Sequence, residues 1–490
     1  MIKRIKAYLF ENRGTRQRII KNTFWLSVGQ VGSRLIRAAI LVYAARLIGA
    51  AEYGIFSYAL SLAGFFTVFA DLGISNILTR EAAQKPEEKH IYFSTSLVIK
   101  TVLVVASAIL VIIGGSYISK IPAATSLLPF VALLVIADGV RDFTAAYFRA
   151  EEKMEREAFI TVITNVAIAA CGLVILAYSH SARALIFTYA ASAAFGTLAA
   201  IYLVKEEFVH LVSNFRPGLV RKIMGDAYPL TVLGILGMFM LNTDLIMIGW
   251  WRSATEIGWY AAGQRIIQIL YTVPGIFSSA TFPALSRAIG EGDNMKARKI
   301  MEYALAIVFA ISIPIAAGGI ILGKQIMLTL FGPEYAGGTL AFQLLLVSTV
   351  LTFSIAIHSN YVLGYNSQRK AIWAIGAGAV GNIVFNALLI PRWGIAGSSV
   401  STIIAQILNV GLLWQLNKNV NYFETLPHLT KIFTATVIMA AAAFGLQYLN
   451  INVLANIAIS GLIYAGILAL LKEKLVKEVA SIFGLRKPSL

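Results

Sequence analysis

Little in this chain could build a disulfide framework, a cysteine zinc site or a catalytic centre. Cys171 is the single cysteine in 490 residues and falls inside an apolar stretch, which excludes a disulfide scaffold. With five histidines and no His-Glu-x-x-His spacing, neither a metal centre nor a cofactor is expected. A Gly-x-x-x-x-Gly-Lys-Ser/Thr motif is missing too, which removes ATP hydrolysis as an energy source. No loop between apolar segments exceeds roughly 25 residues, too short for a catalytic domain, so the chain does not read as an enzyme. Charge is scarce as well: 13% of residues are charged, against about 25% in soluble domains.

What fills the chain instead is apolar, 58% of all residues. A spanning helix needs about 20 apolar residues. Such stretches fall at 22–48, 54–78, 91–115, 125–148, 158–179 and 184–204, then at 228–251, 257–283, 300–322, 338–363, 371–390 and 394–416, and finally at 431–449 and 453–471. The expected fold is therefore an all-α polytopic membrane protein of about 14 transmembrane helices. Its parts are a basic segment 1–21, a six-span lobe 22–204, a linker 205–227, a second six-span lobe 228–416, two further spans within 417–471 and a tail 472–490. The lobes carry a shared pattern, Glu52-Tyr53-Gly54-Ile55-Phe56 and Glu256-Ile257-Gly258-Trp259-Tyr260, as expected for pseudo-symmetric repeats with a substrate site near the membrane midplane.

The net charge of +17 would suggest nucleic acid in a soluble chain, but its distribution argues for topology. Of the 41 Lys and Arg, roughly 30 fall in loops on the side of the N-terminus and about 6 on the other, which places the former in the cytoplasm. Both termini, the linker and the tail are then cytoplasmic, and the expected location is the cell membrane. Segment 1–21 has no apolar core or cleavage site and reads as an orientation anchor, not a signal peptide. Trp250, Trp251, Trp259 and Tyr260 cluster at the external end of two spans, as in an interfacial aromatic belt; sugar stacking is the alternative.

Charges inside the spans are costly and mark function by default. Arg34 and Arg37 share one face of the first span, about 18–22 Å into the membrane by a rise of 1.5 Å per residue. They read as a cationic patch for an anionic group such as a phosphate, or as partners of acids on a neighbouring helix. Lys100, Arg141 and Arg265 are further candidates for substrate contact. Asp138, Asp142 and Asp244 are candidates for ion coupling; Arg141 can pair with Asp138 one turn away and leave Asp142 free. Asp244 and Arg265 can instead bridge adjacent spans. Asp71 lies near a span end and suits gating, while Pro274, Gly275 and Pro314 are candidate hinges.

Several stretches together resemble the polysaccharide transporter family of the MOP (multidrug, oligosaccharidyl-lipid and polysaccharide) flippase superfamily. They are Ala45-Arg46-Leu47-Ile48-Gly49, Glu52-Tyr53-Gly54-Ile55-Phe56-Ser57, Ala70-Asp71-Leu72-Gly73-Ile74-Ser75 and Leu78-Thr79-Arg80-Glu81. Further along come Phe282-Pro283-Ala284-Leu285-Ser286-Arg287 with Gly292-Asp293 and Lys296, then Phe331-Gly332-Pro333-Glu334-Tyr335. The last runs from Gly381-Asn382 through Asn386, Ile390-Pro391 and Gly394-Ile395-Ala396-Gly397 to Ser401-Thr402. The resemblance implies a flippase that carries polyprenyl-diphosphate-linked oligosaccharide or polysaccharide repeat units to the outer leaflet by alternating access. It also implies a cationic cavity, with Arg34, Arg37 and Arg141 as its cations, and a lipid-tail groove at spans 13 and 14 as in lipid-linked peptidoglycan precursor flippases. The partners expected are a lipid-linked glycan, membrane lipids and a coupling ion, H+ or Na+, in a monomer. The alternatives are a cation-coupled multidrug antiporter of the same superfamily and a membrane glycosyltransferase or polymerase.

Overall fold

The computed structural model describes residues 15–209, 211–365, 367–424 and 426–471. The tail 472–490 and most of segment 1–21 lie outside the described residues. Two compact units emerge, Met1–Gly258 and Trp259–Leu490, and no strand occurs among the described residues.

The first unit starts with α1 (Thr15–Ser27), a π-helical turn at Val28–Gly32, and α2 (Ser33–Thr67). Gly49 takes φ 78° and ψ 169°, a sharp break that splits α2 into the end of one span and the start of the next. That backbone conformation is open to glycine at little cost. After α3 (Ile74–Gln84) come α4 (Lys89–Ile118), α5 (Leu128–Ala150), α6 (Met154–Tyr178), α7 (Ala182–Leu203) and α8 (Pro217–Trp251). α8 packs on α2, α3 and α4, and the Thr231 hydroxyl donates to the Leu72 carbonyl at 2.7 Å. The 205–227 segment drawn from the sequence as a linker between lobes therefore lies within this unit.

In the second unit follow α9 (Ala254–Leu270), whose first turn still belongs to the first unit, α10 (Thr272–Gly290), α11 (Asn294–Phe331), α12 (Thr339–Gly364), α13 (Gln368–Val420), α14 (Leu426–Tyr448) and α15 (Val453–Leu470). Gly394, at φ 58°, folds the 53 residues of α13 back on themselves. The expected single span 257–283 is instead two helices broken at Tyr271. Pro274 falls in the first turn of α10, where its missing N–H removes no intrahelical bond. α14 and α15 pack on each other and on α11.

By length and composition, 10 helical stretches among the described residues could cross a membrane. The first, second and fourth spans are not among them, and the folded-back α13 counts once though it holds two. Adding these gives the architecture of about 14 spans expected from hydropathy.

The family-like motifs are structural joints. Glu52 accepts the Ala182 N–H at 2.6 Å, at the N-terminus of α7. Glu256 accepts the Ser253 N–H at 3.2 Å while the Ser253 hydroxyl accepts the Glu256 N–H at 3.3 Å, a capping box. The glycines of the repeated pattern meet each other: a Cβ on Gly54 would lie 1.8 Å from the Ala254 carbonyl oxygen, and one on Gly258 would lie 1.9 Å from that of Ala50. Asp293 caps α11 by accepting the Lys296 N–H at 2.9 Å, and the Trp259 indole donates to the Glu334 carbonyl at 2.6 Å. Trp259 packs on Gly337 and Gly338, and Tyr260 is buried, so both serve the scaffold. At the end of α3, Arg80 bonds both Glu81 and Asp226 at 2.9 Å, and Lys222 stands 3.7 Å from Glu81.

Two outcomes follow. Gly54→Ala forces backbone apart and should lower stability by about 1–3 kcal/mol, whereas Gly225→Ala, with nothing within 4 Å of its Cβ, should be neutral or gain up to about 1 kcal/mol; thermal melts of detergent-solubilised protein separate them. Burial raises the Glu81 carboxyl, but the Tyr92 hydroxyl, Arg80 and Lys222 outweigh it and hold Glu81 below the ordinary 4.5. A depressed folded value stabilises the fold above the unfolded value, and the benefit is lost as pH falls through the folded one. Glu81→Gln should therefore cost about 0.5–1 kcal/mol at neutral pH, since half-exposed Arg80 is partly screened, and wild type and variant melting points should converge in acid.

Candidate functional site

The site of interest grows from the break in the second span. Leu72 and Gly73 adopt φ 44° and 78°, and a Cβ on Gly73 would sit 3.0 Å from Leu230. Only glycine tolerates both constraints. The turn exposes Asp71 at the foot of α3, where its Oδ1 accepts the Ser75 N–H at 3.3 Å and the Ser75 hydroxyl as well. Lys100 reaches the same oxygen from α4 and forms an ion pair with it. Its side chain is 1% exposed, so Asp71 is the partner that makes an ammonium tolerable there. The sequence candidate for gating and one candidate for substrate contact thus neutralise each other.

On α5, Arg141 Nη2 pairs with Asp138 Oδ1 at 2.6 Å, three residues back. The Arg149 guanidinium grips Glu157 of α6 with two bonds, 2.8 and 2.6 Å. Asp142 makes no hydrogen bond or ion pair among the described residues, although Arg141, Asp138, Lys100 and Asp71 all act on it electrostatically. Asp142 opens into a pocket of about 580 Å³ of mixed lining, shared with Thr67, Asp71, Ser75, Arg149 and Asn242 and with apolar Val68, Met238 and Leu241. The structure therefore gathers Asp71, Lys100, Asp138, Arg141 and Asp142 in one place. Pair by pair the charges cancel, except for one negative charge on Asp142.

Arg34 and Arg37 do not line that pocket. They follow the π turn on α2 and are exposed, and Arg37 Nε donates to Asn165 Oδ1 of α6 at 3.0 Å. A π turn inside an α-helix often marks a functional position; here it sets the phase at which both arginines emerge. Asp244 is buried on α8. Arg265, partly buried on α9, donates to Gln268 within its own helix at 3.0 Å. Gly275 is exposed beside buried Pro274.

In the second unit, Pro314 lines an apolar pocket of about 480 Å³ together with Gly318, Met439, Ile457, Gly461 and Tyr464. The Tyr464 hydroxyl donates to the Ala310 carbonyl at 2.7 Å, which Pro314 leaves without its helical donor, and so ties α15 to α11. Sequence reading passed over Asn165, Asn242 and Arg149. Asparagine near a span centre was the available signal for the first two. Arg149 sits at a span end, where a cation is unremarkable.

A family model described as polysaccharide biosynthesis protein matches residues 19–289, and one described as MatE matches 229–391. A probable low-salt glycan biosynthesis flippase, Agl15, of Haloferax volcanii is 21% identical, covering 84% of this chain and 86% of its own. A putative O-antigen transporter of Shigella flexneri is 22% identical over 83% of this chain and 99% of its own. Among solved structures, a lipid II flippase MurJ in an inward closed conformation superposes with a TM-score of 0.69, at 16% identity, over 92% of this chain and 99% of that one. The relatives are flippases and transporters, not enzymes, and the fold is that of a multi-pass membrane protein. With more than half of its length matched, this chain belongs to the polysaccharide biosynthesis protein family.

Proposed function

We propose that this protein is a flippase that moves polyprenyl-diphosphate-linked oligosaccharide or polysaccharide repeat units from the inner to the outer leaflet by alternating access. One observation carries the reading: two arginines stand exposed, one turn apart, on a membrane span of a chain that aligns over more than four-fifths of its length with a glycan flippase. A diphosphate crossing hydrocarbon needs fixed cations, and guanidinium groups meet phosphate oxygens with paired hydrogen bonds. Arg34 and Arg37 are the groups for that contact. The positive loops support cytoplasmic termini, and an ion gradient or the membrane potential supplies the energy. The apolar pocket of the second unit suits a prenyl tail: its lining is almost wholly aliphatic, and α14 and α15 complete it.

A second reading, a cation-coupled multidrug antiporter, has one observation in its favour, the net negative pocket around Asp142. It predicts that the arginines are dispensable for glycan export.

Replacing Arg34 and Arg37 together by Ala should reduce surface glycan at least about 10-fold in cells that depend on this protein, the loss of one charged contact being worth about 1.5–3 kcal/mol. Replacement by Lys should retain part of the export. Full export by the Ala pair at normal protein levels sinks the assignment. Gly461 lines the apolar pocket and has nothing within 4 Å of its Cβ, so Gly461→Phe fills space without a clash at the backbone. It should cut export severalfold with an unchanged melting point; unchanged export would refute the tail pocket.

A further inference from the structure

We infer that Asn165 is a positioning residue: it holds the Arg37 guanidinium by one edge without cancelling its charge, so that the other edge meets a phosphate of the lipid-linked substrate. The inference rests on the proposed contact of Arg37 with a diphosphate. Other cations of the first unit are held by acids: Lys21 pairs with Glu155, Lys100 with Asp71 and Arg141 with Asp138. Arg37 is held by a neutral amide instead. Its Nε donates to the Asn165 Oδ1 at 3.0 Å, and among the described residues it forms no ion pair and its two Nη groups make no hydrogen bond.

The surroundings of Asn165 fix its direction. It is 2% exposed on α6, and its Nδ2 donates to the Thr161 carbonyl one turn back at 2.8 Å. A carbonyl only accepts and an Nε–H only donates, so these two partners decide which way the amide faces. Close packing of α6 against the first span brackets the contact. A Cβ on Gly29 would lie 3.1 Å from Ala158, and one on Gly172 would lie 3.3 Å from Ile40. Arg37 falls between Gly29 and Ile40, and Asn165 between Ala158 and Gly172, so packing holds both ends of the hydrogen bond. With Nε engaged, the edge left over is Nη1 and Nη2, two parallel donors matched to two phosphate oxygens. An acid at position 165 would hold the arginine equally well and neutralise it; the amide leaves its full positive charge for a ligand. Glu157, two turns earlier on α6, is engaged by Arg149.

The test is calorimetric binding of farnesyl diphosphate to the purified full-length protein, with farnesol as the uncharged control and melting points reporting that each variant is folded. Asn165→Asp is nearly isosteric and stays ionised opposite a guanidinium. It should weaken binding about 10-fold, the worth of one charge-assisted contact. Asn165→Leu removes the anchor but leaves the charge, and should weaken binding by less. Both losses should vanish in an Arg37→Ala background, a double-mutant cycle that isolates action through Arg37. A merely structural role for Asn165 predicts the opposite: Asp tolerated better than Leu, and losses that persist without Arg37. Either result overturns the inference, as does unchanged affinity in Asn165→Asp. Should Asn165→Asp not fold, Asn165→Leu decides: a loss confined to proteins with Arg37 supports the inference, and a loss in both backgrounds or in neither overturns it. An Arg37→Ala protein with wild-type affinity, or a wild type that binds farnesyl diphosphate no better than farnesol, overturns the phosphate contact and this inference together.

Discussion

The ion pair between Lys100 and Asp71 is the interaction on which the polar interior of the first unit depends. An ammonium buried to 1% exposure has no water to solvate it, and removing the partner of such a charge costs several kcal/mol. Asp71 is held in place by Ser75 and by the turn at Leu72 and Gly73. The break in the second span therefore exists at the position where a carboxylate must meet α4. Gly139 on α5 lies against the Lys100 stem and Val104, so helix packing fixes the ammonium from above while the acid fixes it from the side. With this pair satisfied, the next charges along α5 can also be resolved locally, and one acid is left over.

The same constraint explains where the helices break. Backbone groups in hydrocarbon must be bonded within the chain, so irregular turns occur only where protein or cavity covers them. Gly49 and Gly394 fold one long helix into two spans each, and Gly397 packs so closely on the turn that a Cβ would lie 2.4 Å from the Leu389 carbonyl oxygen. These glycines belong to the motifs by which the sequence resembles the family, as do Gly73, Gly292 and Gly332, all with positive φ. The shared residues are thus mostly joints and caps. Arg34, Arg37 and Asp142 lie outside them.

Much of this was legible in the sequence. Hydropathy located the spans, because a membrane admits only helices and closed barrels and apolar runs of about 20 residues select helices. The i, i+3 spacing of Asp138 and Arg141 fixed their pairing, and the local pair in turn predicted that Asp142 stays free. Other features needed three dimensions. Lys100 and Asp71 are 29 residues apart on different helices, and no periodicity links them. The π turn at Val28–Gly32 has no sequence signature, yet it sets the direction in which Arg34 and Arg37 point. Span eight reads as one stretch with Pro274 and Gly275 as hinge candidates. The helix breaks at Tyr271, one turn before Pro274, whose missing N–H leaves the Leu270 carbonyl without its helical donor.

The two charge systems answer different demands and share one body. Arg34 and Arg37 stand exposed on α2 while Asp142 lies on α5, and opposite signs in a single cavity would cancel each other. Separating them by packing solves this, since Arg37 turns toward Asn165 of α6 while Asp142 opens between α5, α8 and the second span. α2 packs directly against both α5 and α6. The two charge systems therefore occupy separate faces of one unit, each held by its own neighbours: Asn165 beside Arg37, and the Asp138–Arg141 pair beside Asp142.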